Sequence, residues 1–259
     1  ATIVNRAVVT IPGASSGIGR EMARQLSAMG IEVILVARRL TRLQALREEL
    51  GEHAQVICMD LRDEKSCRML YERVRAEEID ILINNAGFGL CGPFDETSLD
   101  RELEMIDLNI RAVHILTKLF LRDFIERDHG YILNVSSIAA YAPGPLMATY
   151  YASKAYVLRL SQSIYGELRR RGSHVHVAAL CPGPVRTEFN QVAGVEFFTS
   201  GMSAQKAAKI AIDGMFSEKR EIIPGAMMKW VRALTRVAPT ALQLRVSHYL
   251  QHRKTEKSS

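Results

Sequence analysis

The chain predicts an α/β fold, a doubly wound parallel sheet of about seven strands with helices on both faces. Three observations lead there. Short apolar runs rich in β-branched residues alternate with amphipathic segments of helical period. The runs are near-continuously apolar rather than alternating, as strands covered on both faces are. No linker, composition break or repeat beyond this alternation divides the 259 residues, so right-handed crossovers bring the strands into one sheet.

Ala7-Val8-Val9-Thr10-Ile11 is the first strand, and Gly13, Gly17 and Gly19 after it mark a tight turn. The next segment repeats Ile18, Met22 and Leu26 every fourth residue, with Ala23 on the same stripe and Gly30 as its stop. Val33 to Ala37 is the second strand, and Leu43, Leu46 and Leu50 line the next helix. The cycle continues with strand 56–59, a helix carrying Leu70 and Val74, and strand 79–83. A long helical stretch at about 98–126, strand 131–135, a helix at about 148–171 and strand 175–180 complete six units. Residues 1–253 are expected to form one domain, with an amphipathic helical segment at about 226–252 and a polar tail at 254–259.

Composition excludes some functions. The 47% hydrophobic and 24% charged fractions belong to a globular chain with a sizeable core. A formal charge of +6 attracts nucleic acid, membrane or phosphorylated ligands alike. Basic and aromatic residues do not interleave as in a nucleic-acid groove, so no nucleic-acid partner is expected. Cys58, Cys67, Cys91 and Cys181 form no CxxC pair and the seven histidines have no ligand spacing, so no metal is expected. Without a signal-like leader or an 18-residue apolar run, the expectation is a cytoplasmic protein with reduced thiols.

The turn Gly13-Ala14-Ser15-Ser16-Gly17-Ile18-Gly19 lies between the first strand and first helix. Bare backbone N–H groups and a helix N-terminus there can hold a pyrophosphate, the mark of a Rossmann-like dinucleotide fold. An acidic residue at the end of the second strand would take the ribose 2′-hydroxyl of NAD; this chain has Arg38-Arg39, whose guanidiniums suit the 2′-phosphate of NADP(H).

Tyr150 and Lys154 are four apart on a predicted helix, so they share a face. An ammonium beside a phenol favours phenolate, which suits proton transfer at neutral pH. Alone, such a pair is usually a surface pair. Ser136-Ser137 after strand 131–135 reaches the same edge of the sheet, where a hydroxyl can polarise a carbonyl. Asn84-Asn85-Ala86-Gly87 follows the fourth strand in the same way.

Through about residue 190 the chain resembles the short-chain dehydrogenase/reductase family. The glycine turn, Asp60, Asn85-Ala86-Gly87, Asn109, Ser137, Tyr150, Lys154 and Pro182-Gly183 stand in that family's order and spacing. The resemblance implies that Tyr150 is the general acid/base, that Ser137 polarises the carbonyl, and that Lys154 binds the nicotinamide ribose while tuning Tyr150. It implies that Asn109 joins a proton relay and that Asp60, with Leu61, lies at the adenine. Asn85 to Gly87 would line the cofactor cleft, and Pro182, Gly183, Val185 and Thr187 the nicotinamide end. It also implies a homodimer or homotetramer. Taken singly, each serine or asparagine is equally a helix cap. One departure is Pro12, where the family usually has threonine: proline brings neither hydroxyl nor N–H, which puts the hydrogen bonding between this turn and Asn84–Gly87 in doubt.

The expected activity is interconversion of a ketone and a secondary alcohol on a lipophilic substrate such as a hydroxysteroid or 3-oxoacyl compound. Phe189, Val192, Val195, Phe197 and Phe198 in the long connection 184–201 suggest an apolar lid, or ordinary loop packing. A non-catalytic NADP(H)-sensing regulator and a membrane-associated lipid-binding protein are the other readings. Met227, Met228, Trp230, Val231 and Leu234 alternate with Lys229, Arg232 and Arg236, and Pro239 separates them from Leu242, Leu244, Val246 and Leu250. Burial inside the protein is the favoured reading of this basic hairpin; an anionic membrane, a cap over the substrate pocket and an oligomer contact are the alternatives.

Overall fold

The structure, a computed structural model, describes residues 3–11, 17–186 and 201–255. Its strands are β1 (Arg6–Thr10), β2 (Glu32–Ala37), β3 (Ala54–Cys58), β4 (Ile81–Asn84), β5 (Tyr131–Val135), β6 (His176–Leu180), β7 (Val185–Arg186), β8 (Met202–Ser203) and β9 (Glu221–Ile222). Seven of them form one sheet in the order β3-β2-β1-β4-β5-β6-β9, and every pair in it is parallel. β7 and β8 form a separate short ladder. The helices are α1 (Gly17–Ala28), α2 (Leu40–Leu50), α3 (Glu64–Val74), α4 (Leu99–Ile106), α5 (Val113–Arg127), α6 (Ala148–Arg170), α7 (Ala204–Phe216), α8 (Ala226–Val237) and α9 (Thr240–Thr255).

The predominantly apolar strands arise because both faces are covered. Ala7 and Val9 of β1, Val33 and Leu35 of β2, and Ile81 and Ile83 of β4 pack with α1, α2 and α7. Their neighbours Val8, Ile34, Val36 and Leu82 pack with α3, α5 and α6 on the other side. Gly30 ends α1 in a left-handed turn, φ +81°, the conformation its lack of Cβ permits. After β1 the chain winds outward to β3 and then crosses back to β4. The carboxyl ends of β1 and β4 therefore flank the switch point where such sheets bind ligands.

Several expectations change. The fourth strand starts at Ile81 rather than 79, and just before it the Asp80 carboxylate accepts from Asn5 N (2.7 Å) and Arg6 N (3.2 Å) at the entry to β1. The seventh strand, β9, is two residues long, too short to leave a periodicity. The stretch at 98–126 is continuous but contains a π-helical turn, Asp107–Ala112. α9 runs to Thr255, so the expected tail loses its first two residues to the helix; residues 256–259 lie outside the described residues. The favoured burial of the C-terminal stripe is overturned: α8 buries none of its residues, and Met227, Trp230, Leu234, Leu242 and Val246 are all exposed. Among the described residues no helix is long and apolar enough to cross a membrane.

Candidate active site

Three elements deliver the polar groups to the carboxyl edge of the sheet. Ser137 follows β5, Tyr150 and Lys154 lie one turn apart on α6, and Asn109 sits in the π-helical turn before α5. Such one-residue excesses in a helix re-aim side chains and often occur at functional sites. All four are buried: Ser137 and Tyr150 are 9% exposed, Lys154 6% and Asn109 1%.

The Ser137 hydroxyl is near enough to the Tyr150 phenol to favour its ionised form. It also caps the short 3₁₀ turn Ile138–Tyr141, accepting from Ala139 N at 3.1 Å, so the capping role and the contact with Tyr150 coexist. The Lys154 ammonium lies 5.8 Å from the centroid of the Tyr150 ring and donates to the Val135 carbonyl at 3.0 Å. Burial pushes the phenol up to about 12, only partly opposed by the Ser137 hydroxyl. Burial likewise pulls the ammonium down to about 8. Against the expected pull of Lys154 toward phenolate stands this burial of both groups. Loss of solvent dominates both groups, and the phenol is held protonated across neutral pH.

Asn109 is spent on positioning. Its Oδ1 accepts from Phe88 N (3.1 Å), while its Nδ2 donates to Phe88 O (2.9 Å) and to Ser153 Oγ (3.1 Å). Ser153 in turn donates to Tyr150 O at 2.7 Å, and Ser136 donates to Lys154 O at 2.8 Å, tying α6 to β5. Below them Asn84, Asn134, Thr117 and Ser161 form a buried ladder, with Asn84 Nδ2 to Asn134 Oδ1 at 2.8 Å and Asn134 Nδ2 to Ser161 Oγ at 3.0 Å. The roles of Ser136, Ser153 and the ladder left no sequence signal beyond short polar residues in apolar strands.

The doubt raised by Pro12 has an answer two residues upstream. Thr10, the last residue of β1, accepts through Oγ1 from both Asn85 N and Ala86 N at 3.0 Å. The join between β1 and the Asn84–Gly87 segment is thus made by a buried hydroxyl that motif spacing did not single out.

The remaining expected cofactor residues divide into groups. Gly17, Ile18 and Gly19 open α1 beside this edge, and a Cβ on Gly19 would come within 2.2 Å of Asn85 Nδ2. A Cβ on Gly87 would stand 2.9 Å from Asn109 Oδ1 and 3.4 Å from Lys154 Nζ, so only glycine leaves the backbone beside the ammonium uncovered. Arg38 and Arg39 are exposed at the end of β2. Asp60 is gripped by Arg62, Nη2 to Oδ2 at 2.6 Å, which holds its carboxyl below the usual range; Arg62 was not anticipated. The Leu61 side chain belongs to the core, leaving only its backbone for a ligand. Pro182 O accepts from Ile138 N at 3.0 Å, Gly183 follows it, and Val185 is buried in the β7–β8 ladder. Pro12, Gly13, Ser15, Ser16, Thr187 and the apolar residues from Phe189 to Phe198 lie outside the described residues.

The donor set suits a dinucleotide. Lys154 has three N–H donors and, among the described residues, one hydrogen-bond acceptor, so two donors remain for ribose hydroxyls beside the open backbone of Gly87. A helix N-terminus at Gly17 faces the same edge.

Fold and site together define a dinucleotide-binding α/β protein with a Ser-Tyr-Lys cluster at the switch point. The short chain dehydrogenase family pattern matches residues 7–196, and the chain belongs to the short-chain dehydrogenase/reductase family. It is 33% identical over 237 residues to a very-long-chain 3-oxoacyl-CoA reductase of Anas platyrhynchos, covering 87% of this chain and 74% of that protein. The solved short-chain dehydrogenase from Sphingobium yanoikuyae in complex with NADPH superposes with a TM-score of 0.79 at 30% identity, covering 92% of this chain and 98% of that one. The bulky-bulky ketone specific alcohol dehydrogenase from Comamonas testosteroni superposes with a TM-score of 0.76 at 29% identity, over 93% and 97% of the two chains.

Proposed function

We propose that this chain is an NADP(H)-dependent oxidoreductase interconverting a ketone and a secondary alcohol on a lipophilic substrate, of the 3-oxoacyl or hydroxysteroid class. One observation carries this reading: a buried phenol and a buried hydroxyl meet at the carboxyl edge of the sheet, with an ammonium one helical turn further along. Ser137 orients and polarises the substrate oxygen. Tyr150, protonated at neutral pH, gives that oxygen its proton in reduction and takes it back in oxidation. Lys154 holds the ribose, and Asn109, tied to α6 through Ser153, joins the proton relay. When bound, the nicotinamide supplies or accepts the hydride at the substrate carbon.

Arg38 and Arg39, with no acidic residue at the end of β2, support NADP(H) over NAD, as does the NADPH complex of the Sphingobium relative. The duck relative's 3-oxoacyl-CoA substrate and the bulky ketones of the Comamonas relative support a large apolar substrate. Cys58, Cys67 and Cys181 stand as thiols, in keeping with a reducing cytoplasm, and the assembly expected from the family is a homodimer or homotetramer.

The test is oxidation of NADPH and NADH over 3-oxoacyl thioesters, steroid ketones and small ketones. NADPH-preferring reduction of the larger ketones is expected, and Arg38→Ala should raise KM for NADPH about tenfold while leaving KM for NADH unchanged. Absence of turnover across the panel, or equal use of both nucleotides, would overturn the proposal.

A further inference from the structure

The C-terminal hairpin of α8 and α9 is built inside out. Its inward face is largely polar. Arg232 pairs with the nearly buried Glu221 (2.7 Å), Gln243 Nε2 donates to Thr235 O (2.9 Å) and Ala238 O (2.8 Å), and Gln251 Nε2 donates to Tyr151 OH (2.8 Å). Met228, packed over Gly183, is the apolar exception. The apolar residues point outward. On α8, Met227, Trp230, Val231, Leu234 and Val237 recur at helical spacing as one exposed stripe, with Trp230 70% and Val237 79% exposed. On α9, Leu242, Val246 and Leu250 are also exposed, at four-residue intervals. Ten of the eighteen exposed large hydrophobic side chains among the described residues fall in this hairpin, a concentration that scattered surface residues do not produce.

Charge is segregated with them. Residues 226–255 hold Lys229, Arg232, Arg236, Arg245, Arg253 and Lys254 and no Asp or Glu, a formal +6 equal to the net charge of the entire chain. The remaining residues are neutral in sum. A second copy of the same hairpin would set its cations against their like and is disfavoured electrostatically, even with Arg232 paired inward to Glu221. A bilayer with anionic headgroups answers both features, accepting the apolar stripe at the headgroup boundary and the cations at its surface.

We propose that the α8–α9 hairpin docks this protein onto an anionic lipid bilayer, lying in the interface with the Trp230 stripe inserted. The anchors of the hairpin reach Tyr151, next to Tyr150, and Gly183, so docking would set the catalytic edge close to the membrane. This goes beyond the proposed reaction and does not depend on it, since the test needs no turnover.

Trp230 is the only tryptophan, so it reports its own environment. Vesicles of phosphatidylcholine mixed equally with phosphatidylglycerol should blue-shift its emission and carry the full chain up in flotation, with both effects weakened by salt. Vesicles of phosphatidylcholine alone should do neither. Leu234→Ser, which keeps the reporter, should weaken partitioning about tenfold. Lys229→Gln and Arg236→Gln should each weaken it about fivefold, the equivalent of about 1 kcal/mol. Reduction of a short, water-soluble ketone should be unchanged in all three. An unshifted spectrum with no flotation, equal binding to both vesicle types, or a vesicle-independent shift that tracks a dimer abolished by Leu234→Ser would overturn the proposal.

Discussion

At the carboxyl edge of the sheet, Ser137, Tyr150, Ser153 and Lys154 are polar groups with less than a tenth of their surface exposed; on the hairpin, Trp230, Leu234 and Val237 are apolar groups with well over half exposed. Both regions depart from the ordinary sorting of side chains, in opposite directions. The polar edge is stabilised from within, because its buried groups find partners: Ser137 with Ala139, Asn109 with Ser153, Lys154 with Val135. Among the described residues, the apolar stripe has no such compensation along its outer side. The first region is a finished site whose cost is met by the fold, and the second is half of an interface. Burial without neutralisation also explains why Tyr150 and Lys154 move apart in affinity for protons, since each is displaced toward its neutral form.

The largest expected effect comes from the polar edge. Tyr150→Phe should cut kcat by about 10³-fold while NADPH affinity, followed by fluorescence titration, stays within about twofold. A variant retaining a tenth of the activity would show that the edge is structural only. Lys154→Met should also abolish useful turnover, yet stabilise the nucleotide-free protein. Displacing the ammonium from 10.5 to about 8 corresponds to a penalty of up to about 3 kcal/mol at neutral pH, measurable as a higher urea midpoint. The sign follows from the folded value lying below the unfolded one: the penalty is full below pH 8 and fades as pH rises from 8 to 10.5. A lower midpoint for Lys154→Met at pH 7 would break the contrast drawn above.

Thr10→Val leaves Asn85 N and Ala86 N without their acceptor in the core and should destabilise by about 2 kcal/mol, with Thr10→Ser restoring most of it. A harmless Thr10→Val would mean that Pro12 has been compensated elsewhere. For the pH dependence, kcat/KM for reduction should fall as pH rises through about 8, where Lys154 loses its charge, and Lys154→Arg should move that fall upward because guanidinium stays protonated. The smallest effect belongs to the hairpin in water: Val237→Ser should change unfolding free energy by less than about 0.5 kcal/mol, since the side chain is already hydrated.

Strand positions, helix stripes and the residues meeting at the sheet edge could be read from order and spacing, because a parallel sheet covered on both faces imposes continuous apolar runs. Tyr150 and Lys154 share a helix face by period alone, and Ser137 reaches them because it follows a strand of the same sheet. Other features depend on contacts between residues far apart in the chain. Thr10 serves Asn85 and Ala86 across 75 and 76 positions, and Arg62 occupies Asp60 in a way the motif could not announce. The π-turn at Asn109 is one residue of helical slack, invisible to a pattern of period 3.6.

The hairpin makes the division plain. Its basic, apolar periodicity was already written in the residues, but periodicity gives a helix two faces without saying which turns inward. That choice was made in three dimensions, where Glu221, Tyr151 and Gly183 offered partners to Arg232, Gln251 and Met228 and so turned the apolar side to the outside. Amino-acid order alone determined the elements and the chemistry they carry. Packing decided orientation and protonation, because both depend on which neighbours remove a group from water.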